Sequence, residues 1–249
     1  MRILGQCHPW GQRLPHRSRH KKPETIWLFD LDNTLHNASH GIFNAIDTRM
    51  AQAVQEMLGV SADEADQLRL RYWQRYGATM IGLHQHHQIC PDEFLHRSHD
   101  FDVAPLLSIE TGLTQHLQRL PGRKLLLTNA PCDYALRVIH QANLSRHFDG
   151  IWAIEHMYRL GRYRPKPSLA LMRQVLASLQ VPAQQVVLVE DTLRNLKSAK
   201  QLGMRTVHIF NAGTPYSALH RGRNSFVDLR IDSIAELARN YRQLALIGT

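Results

Sequence analysis

A chain of 249 residues, 43% hydrophobic and 20% charged, is long enough for a sizeable buried core and has the composition of an ordinary soluble protein. No stretch approaches the roughly 18 consecutive apolar residues of a membrane span, and Cys7, Cys90 and Cys132 form no Cys-x-x-Cys pair, so reduced thiols in a cytoplasmic protein are expected. The net charge of +9 invites a nucleic-acid partner, but residues 1–24 carry six basic residues against Glu24 alone, leaving only +4 for the other 225.

Those first 24 residues contain Pro9, Pro15 and Pro23 and show no helical periodicity, so a solvated, disordered tail is expected. Such a tail can bind an acidic polymer by counterion release, and nucleic acid is expected as a partner only through it. It lacks the apolar run of a secretory signal. Its Arg-rich, acid-poor composition also fits an organelle-targeting peptide or an over-extended reading frame.

Beyond the tail, Ile26–Leu31 is an apolar run that ends in acidic residues. Similar runs follow at Lys124–Ala130, Gly150–Glu155, Gln185–Asp191 and Arg205–Phe210. Runs of this length without alternation suit strands buried on both faces, hence a parallel sheet. Helix-period segments lie between them near 132–142, 167–179 and 192–202, and a last helix near 233–246 opens on a Ser233…Glu236 capping pattern. Strands alternating with helices predict an α/β fold with a doubly wound parallel sheet. From about 36 to 122 the alternation fails. Helices are expected there near 40–58, 62–75, 91–98 and 111–120, with no strand. The expected organisation is a catalytic core of residues 25–36 and 122–249, with residues 37–121 inserted as a helical cap.

In such sheets ligands bind beyond the carboxyl ends of the strands, and the polar residues of interest fall there. Asp30 and Asp32 leave the first strand two residues apart, on the same side, and two like charges so close need a cation. Mg2+, a hard oxygen-seeking ion, meets that need. Thr128 and Asn129 end the second strand and can donate hydrogen bonds to a phosphate. Lys166 sits between Pro165 and Pro167 just before a helix, where the prolines fix the ammonium's position. Glu190 and Asp191 close the QVVLVED strand, and burying adjacent acids is costly unless they bind a cation. Singly, each feature has a bland reading as an acidic turn or a solvated lysine. Four in chain order at four strand ends do not.

The set DLDNTL, LLLTNA, RPKPS and VLVEDTLRNLKSAK resembles the four ordered motifs of the haloacid-dehalogenase superfamily, over about residues 24–240. The resemblance implies a Rossmannoid core, Asp30 as nucleophile and Asp32 as general acid/base. It implies Thr128 and Lys166 as phosphate binders, and Asp30, the Asp32 backbone carbonyl, Glu190 and Asp191 as the Mg2+ site. A dehalogenase needs neither an acid two residues after the nucleophile nor a metal, whereas phosphoryl transfer uses both, so phosphate-monoester hydrolysis through an aspartyl-phosphate is expected. Residues 70–102 further resemble the cap of pyrimidine 5′-nucleotidases, in the run Tyr76-Gly77-Ala78-Thr79-Met80-Ile81-Gly82-Leu83, the histidines after it and the pair His99-Asp100. That implies UMP or CMP as substrate, with Tyr76 and Thr79 recognising the base. Cys90 and Phe101-Asp102 depart from the nucleotidase pattern, and a small sugar phosphate or phosphoglycolate is the alternative substrate. His84, His86 and His87 are expected in a polar loop rather than at a second metal.

Overall fold

The structure, a computed structural model, describes residues 24–210 and 224–246. The expectations for residues 1–23 lie outside that range. In chain order the elements are β1 (Ile26–Phe29), α1 (Ile42–Leu58), α2 (Ala62–Tyr76), α3 (Thr79–His87), α4 (Pro91–His99) and α5 (Leu113–Arg119). Then come β2 (Arg123–Leu127), α6 (Cys132–Gln141), β3 (Gly150–Trp152), β4 (Tyr158–Arg159), β5 (Arg162–Tyr163), α7 (Leu169–Leu179) and β6 (Val186–Glu190). The chain continues through α8 (Leu193–Gln201), β7 (Arg205–Ile209), β8 (Leu229–Ile231) and α9 (Ile234–Asn240).

Six strands form one sheet in the order β3-β2-β1-β6-β7-β8, and every pairing in it is parallel. The doubly wound α/β fold expected from the sequence is therefore present. Period-two alternation divides the apolar strands between two cores. Trp27, Phe29, Leu126, Val187 and Val189 face one core with Tyr134, Val138 and Leu237. Ile26, Leu28, Leu125, Leu127, Val186 and Leu188 face the other with Met172, Val175 and Leu196. With both faces covered, the backbone of β1 is fixed on both sides, and the order of connections reverses between β1 and β6. That reversal is where such sheets leave a crevice at their carboxyl ends.

Helices α1 to α4 lie between β1 and β2 in sequence and pack on one another, α1 against α2 and α4, and α3 against α2 and α4. Helix α5 packs on α9. The histidine-bearing segment is a helix, α3, and not the expected loop. Its residues Thr79–Leu83 are all buried and its last residues are polar, so the apolar positions follow the chain and not one face. Close packing explains Gly82, since a Cβ there would stand 2.1 Å from Tyr72 Cγ. Two further departures are short strands. The β4–β5 hairpin is rich in arginine, and β8 has a central arginine, so neither gives an apolar run. Cys90 is an exposed free thiol.

Candidate active site

Asp30 directly continues β1, and its N–H still donates to the Val189 carbonyl of β6 at 3.0 Å, so the nucleophile candidate is held by the sheet itself. The chain then turns tightly. Leu35 N–H donates to Leu31 O at 2.9 Å, and Asn33 takes a left-handed φ of 58°, which asparagine tolerates better than most residues. The Asn33 Oδ1 accepts from the N–H and hydroxyl of Ser39 at 3.0 and 3.1 Å, which locks the turn.

Lys166 enters from the loop before α7. Its Nζ lies 2.6 Å from Asp30 Oδ1 and 2.7 Å from Glu190 Oε2, with all three side chains almost fully buried. Asn129 fixes that loop: its Oδ1 accepts from Lys166 N–H at 2.9 Å and its Nδ2 donates to Lys166 O at 3.0 Å. Thr128, buried at the end of β2, accepts from Ala130 N–H through Oγ1 at 3.0 Å and keeps its hydroxyl hydrogen for another acceptor. Glu190 is held on three sides, by Lys166, by Asn195 Nδ2 at 2.9 Å and by Thr192 N–H at 3.1 Å.

Carboxylate oxygens of Asp30, Glu190 and Asp191 all lie within 4.8 Å of one another. Burial pushes Asp30 well above the usual carboxylate range, and the Glu190 charge adds to this while Lys166 opposes it. Glu190 and Asp191 are raised for the same first reason, burial. For Lys166, burial alone lowers the pKa, but the charges of Asp30 and Glu190 hold it above the usual lysine value. Three carboxylates against one ammonium leave two negative charges uncompensated in a desolvated pocket. A divalent cation fits that deficit in charge and in donor type, and Asp30, Glu190 and Asp191 are the residues able to hold it.

Asp32 lives in a different environment. Its Oδ1 lies 2.9 Å from His36 Nε2 and accepts from Tyr134 O–H at 2.6 Å. Burial raises its pKa, but the His36 hydrogen bond and charge, then Tyr134 and His99, bring it below the ordinary value. Tyr134 itself is raised well above the usual phenol by burial and by Asp32, so it stays a donor. Two carboxylates two residues apart thus have opposite electrostatics, the pattern expected of groups with different chemical duties.

The haloacid dehalogenase-like hydrolase family matches residues 27–209. The chain belongs to that family. A Saccharomyces cerevisiae phosphate metabolism protein 8 is 26% identical over 198 residues, 74% of this chain, which spans 61% of the yeast protein's length. A phosphoglycolate phosphatase of Pseudomonas savastanoi pv. phaseolicola is 25% identical over 78% of this chain and 73% of its own. The solved HAD phosphatase from Thermococcus onnurineus superposes with a TM-score of 0.61 at 21% identity, covering 87% of this chain and 97% of that one.

Tyr76 and Thr79 make their polar contacts among the helices. Tyr76 OH pairs with His86 Nε2 at 2.6 Å, and Thr79 Oγ1 donates to Arg69 O at 3.1 Å. Three site residues were not singled out from the sequence, His36, Tyr134 and Asn195, whereas His99 was marked only as part of the His99-Asp100 pair of the cap. Among the described residues, no helix is long and apolar enough to cross a membrane.

Proposed function

We propose that the chain is a Mg2+-dependent phosphate-monoester hydrolase that carries the phosphoryl group on Asp30, and that its substrate is a pyrimidine nucleoside 5′-monophosphate. The observation that carries the chemistry is the buried Asp30–Lys166–Glu190 chain beside Asp191, next to an Asp32 with its own separate set of donors. Asp30 attacks phosphorus in line with the ester oxygen, and the bond from phosphorus to that oxygen breaks as the new one forms. The departing oxygen takes a proton from Asp32. Water then attacks phosphorus while Asp32 takes its proton, and the bond to Asp30 breaks to release phosphate.

Lys166 keeps the Asp30 carboxylate oriented and offsets charge on the phosphoryl oxygens, and Thr128 has a hydroxyl hydrogen to give one of them. Mg2+, when bound by Asp30, Glu190, Asp191 and the Asp32 backbone carbonyl, supplies further neutralisation of phosphoryl charge. Asp32 is ionised in the ligand-free site, and an anionic phosphate ester beside it favours the protonated form needed for donation.

Residues 37–121 act as a cap over the strand ends of a core made from residues 25–36 and 122–249. In this reading Tyr76, its ring tilted against those of Tyr72 and His86, offers an aromatic surface for a base, whereas Thr79 is buried and gives its hydroxyl hydrogen to Arg69 O. The second reading, phosphoglycolate, is favoured by the Pseudomonas relative. A Mg2+-supplemented screen separates them. UMP or CMP is expected to exceed AMP, GMP, ribose 5-phosphate and phosphoglycolate in kcat/KM by at least about tenfold, which is ~1.4 kcal/mol. Ribose 5-phosphate or phosphoglycolate hydrolysed as efficiently as UMP rules out the nucleotidase reading and leaves the core chemistry standing.

A further inference from the structure

The geometry points to Tyr134 and His36 as positioning residues that clamp one oxygen of Asp32, Oδ1, so that the other, Oδ2, is presented to the ester oxygen. The inference rests on the reading of Asp32 as the acid and base of the reaction.

Both donors converge on the same atom, Tyr134 O–H at 2.6 Å and His36 Nε2 at 2.9 Å. No donor among the described residues reaches Oδ2, and the Asp32 side chain retains 18% exposure while that of His36 retains 1%. The buried Nδ1 of His36 has no hydrogen-bond partner among the described residues. An ionised carboxylate oxygen can only accept, so Nε2 is the ring nitrogen that carries a hydrogen to Asp32 Oδ1. A carboxylate whose Oδ1 already accepts two hydrogen bonds carries its transferable proton on Oδ2.

Each clamp member is itself immobilised. Tyr134 is fully buried, with its ring 5.2 Å from that of His99 and 6.2 Å from that of Phe101. Arg137, one turn further along α6, donates to the carbonyls of both His99 and Phe101 at 2.6 Å, so the segment that wedges Tyr134 is held by the same helix. His36 is set by the tight turn after β1, in which Asp32 and His36 also form a backbone bridge. Asp32 is thus oriented from two unrelated parts of the chain.

In the phosphorylation step the leaving oxygen receives the Oδ2 proton as its bond to phosphorus breaks. In the hydrolysis step Oδ2 takes a proton from the attacking water. A loosened Asp32 slows donation to poor leaving groups most, because p-nitrophenolate departs with little help and phenolate does not. The experiment is single-turnover phosphorylation with p-nitrophenyl phosphate and phenyl phosphate, in Mg2+, for the wild type, Tyr134→Phe, His36→Leu, His36→Gln and Asp32→Asn. Tyr134→Phe and His36→Leu are expected to raise the p-nitrophenyl to phenyl rate ratio by about tenfold or more. His36→Gln, whose amide donor reaches the position of Nε2, is expected to restore the ratio towards wild type. If Asp32→Asn raises the ratio but the Tyr134 and His36 variants slow both esters equally, the clamp is overturned and the role of Asp32 stands. If Asp32→Asn leaves the ratio unchanged, the acid–base reading itself fails. Should Tyr134→Phe not fold, the contrast between His36→Leu and His36→Gln decides alone.

Discussion

Replacing Lys166 by Met removes the cation that, among the described residues, bridges Asp30 and Glu190, and keeps most of the side chain's volume. The wild-type Nζ is 2.6 and 2.7 Å from the two carboxylates, and all three side chains are at most 10% exposed. Breaking such a buried pair from one side leaves uncompensated charge and costs about 3–5 kcal/mol. For a domain of this size each kcal/mol moves Tm by about 2–4 °C, so the variant is expected to melt roughly 6–20 °C below wild type in EDTA. The sign of the pH dependence follows from the three raised carboxylates. The folded chain holds protons there that the unfolded chain, titrating near about 4, has released. Stability contributed by these protons is therefore lost as pH rises through the folded values, and losing Lys166 steepens that loss. Mg2+ is expected to raise the stability of each protein that binds it, by about 2.7 kcal/mol at a hundredfold excess over its Kd. Thermal melts of both proteins in EDTA and in Mg2+, across pH, supply the check. A variant that melts within about 2 °C of wild type in EDTA refutes the premise that Lys166 holds the cluster together.

Chelation is expected to abolish activity and Mg2+ to restore it, with Asp191→Ala raising the Mg2+ concentration needed for half-maximal rate; full activity in excess EDTA contradicts the metal site. Burial holds His99 down at about 4 against an ordinary 6.5. The folded chain is thus the poorer proton binder, so stability falls as pH drops from 6.5 towards 4, by up to about 3 kcal/mol, and His99→Gln is expected to flatten that slope in denaturant titrations. Gly82→Ala drives a methyl group against the Tyr72 ring and is expected to destabilise the α2–α3 packing by about 1–3 kcal/mol, read as a lowered Tm; an unchanged Tm contradicts that packing.

The strands that carry Asp30, Thr128 and Glu190 were legible because a parallel sheet buries both faces and so writes continuous apolar runs. The acids stand out where those runs end. Helix α3 was not legible, because burial of five consecutive residues, Thr79–Leu83, erases the helical period on which the reading depends. The partners of Asp32 were hidden for two different reasons. Tyr134 sits where α6 needs an apolar residue, and its hydroxyl finds a partner 102 residues away, which only the folded sheet brings near. His36 is local, yet its contact depends on the left-handed turn at Asn33. Asn129 was visible as a strand-end amide, but its double attachment to the Lys166 backbone belongs to the tertiary structure.

The central claim is that Asp30 carries the phosphoryl group. The direct measurement is rapid acid quench of a single turnover with labelled p-nitrophenyl phosphate in Mg2+, followed by peptide mapping. Label is expected on Asp30 in the wild type, decaying as phosphate appears, and on no residue in Asp30→Asn, which is expected to remain folded and inactive. Turnover without label on Asp30, or appreciable activity in Asp30→Asn after correction for deamidation, contradicts it.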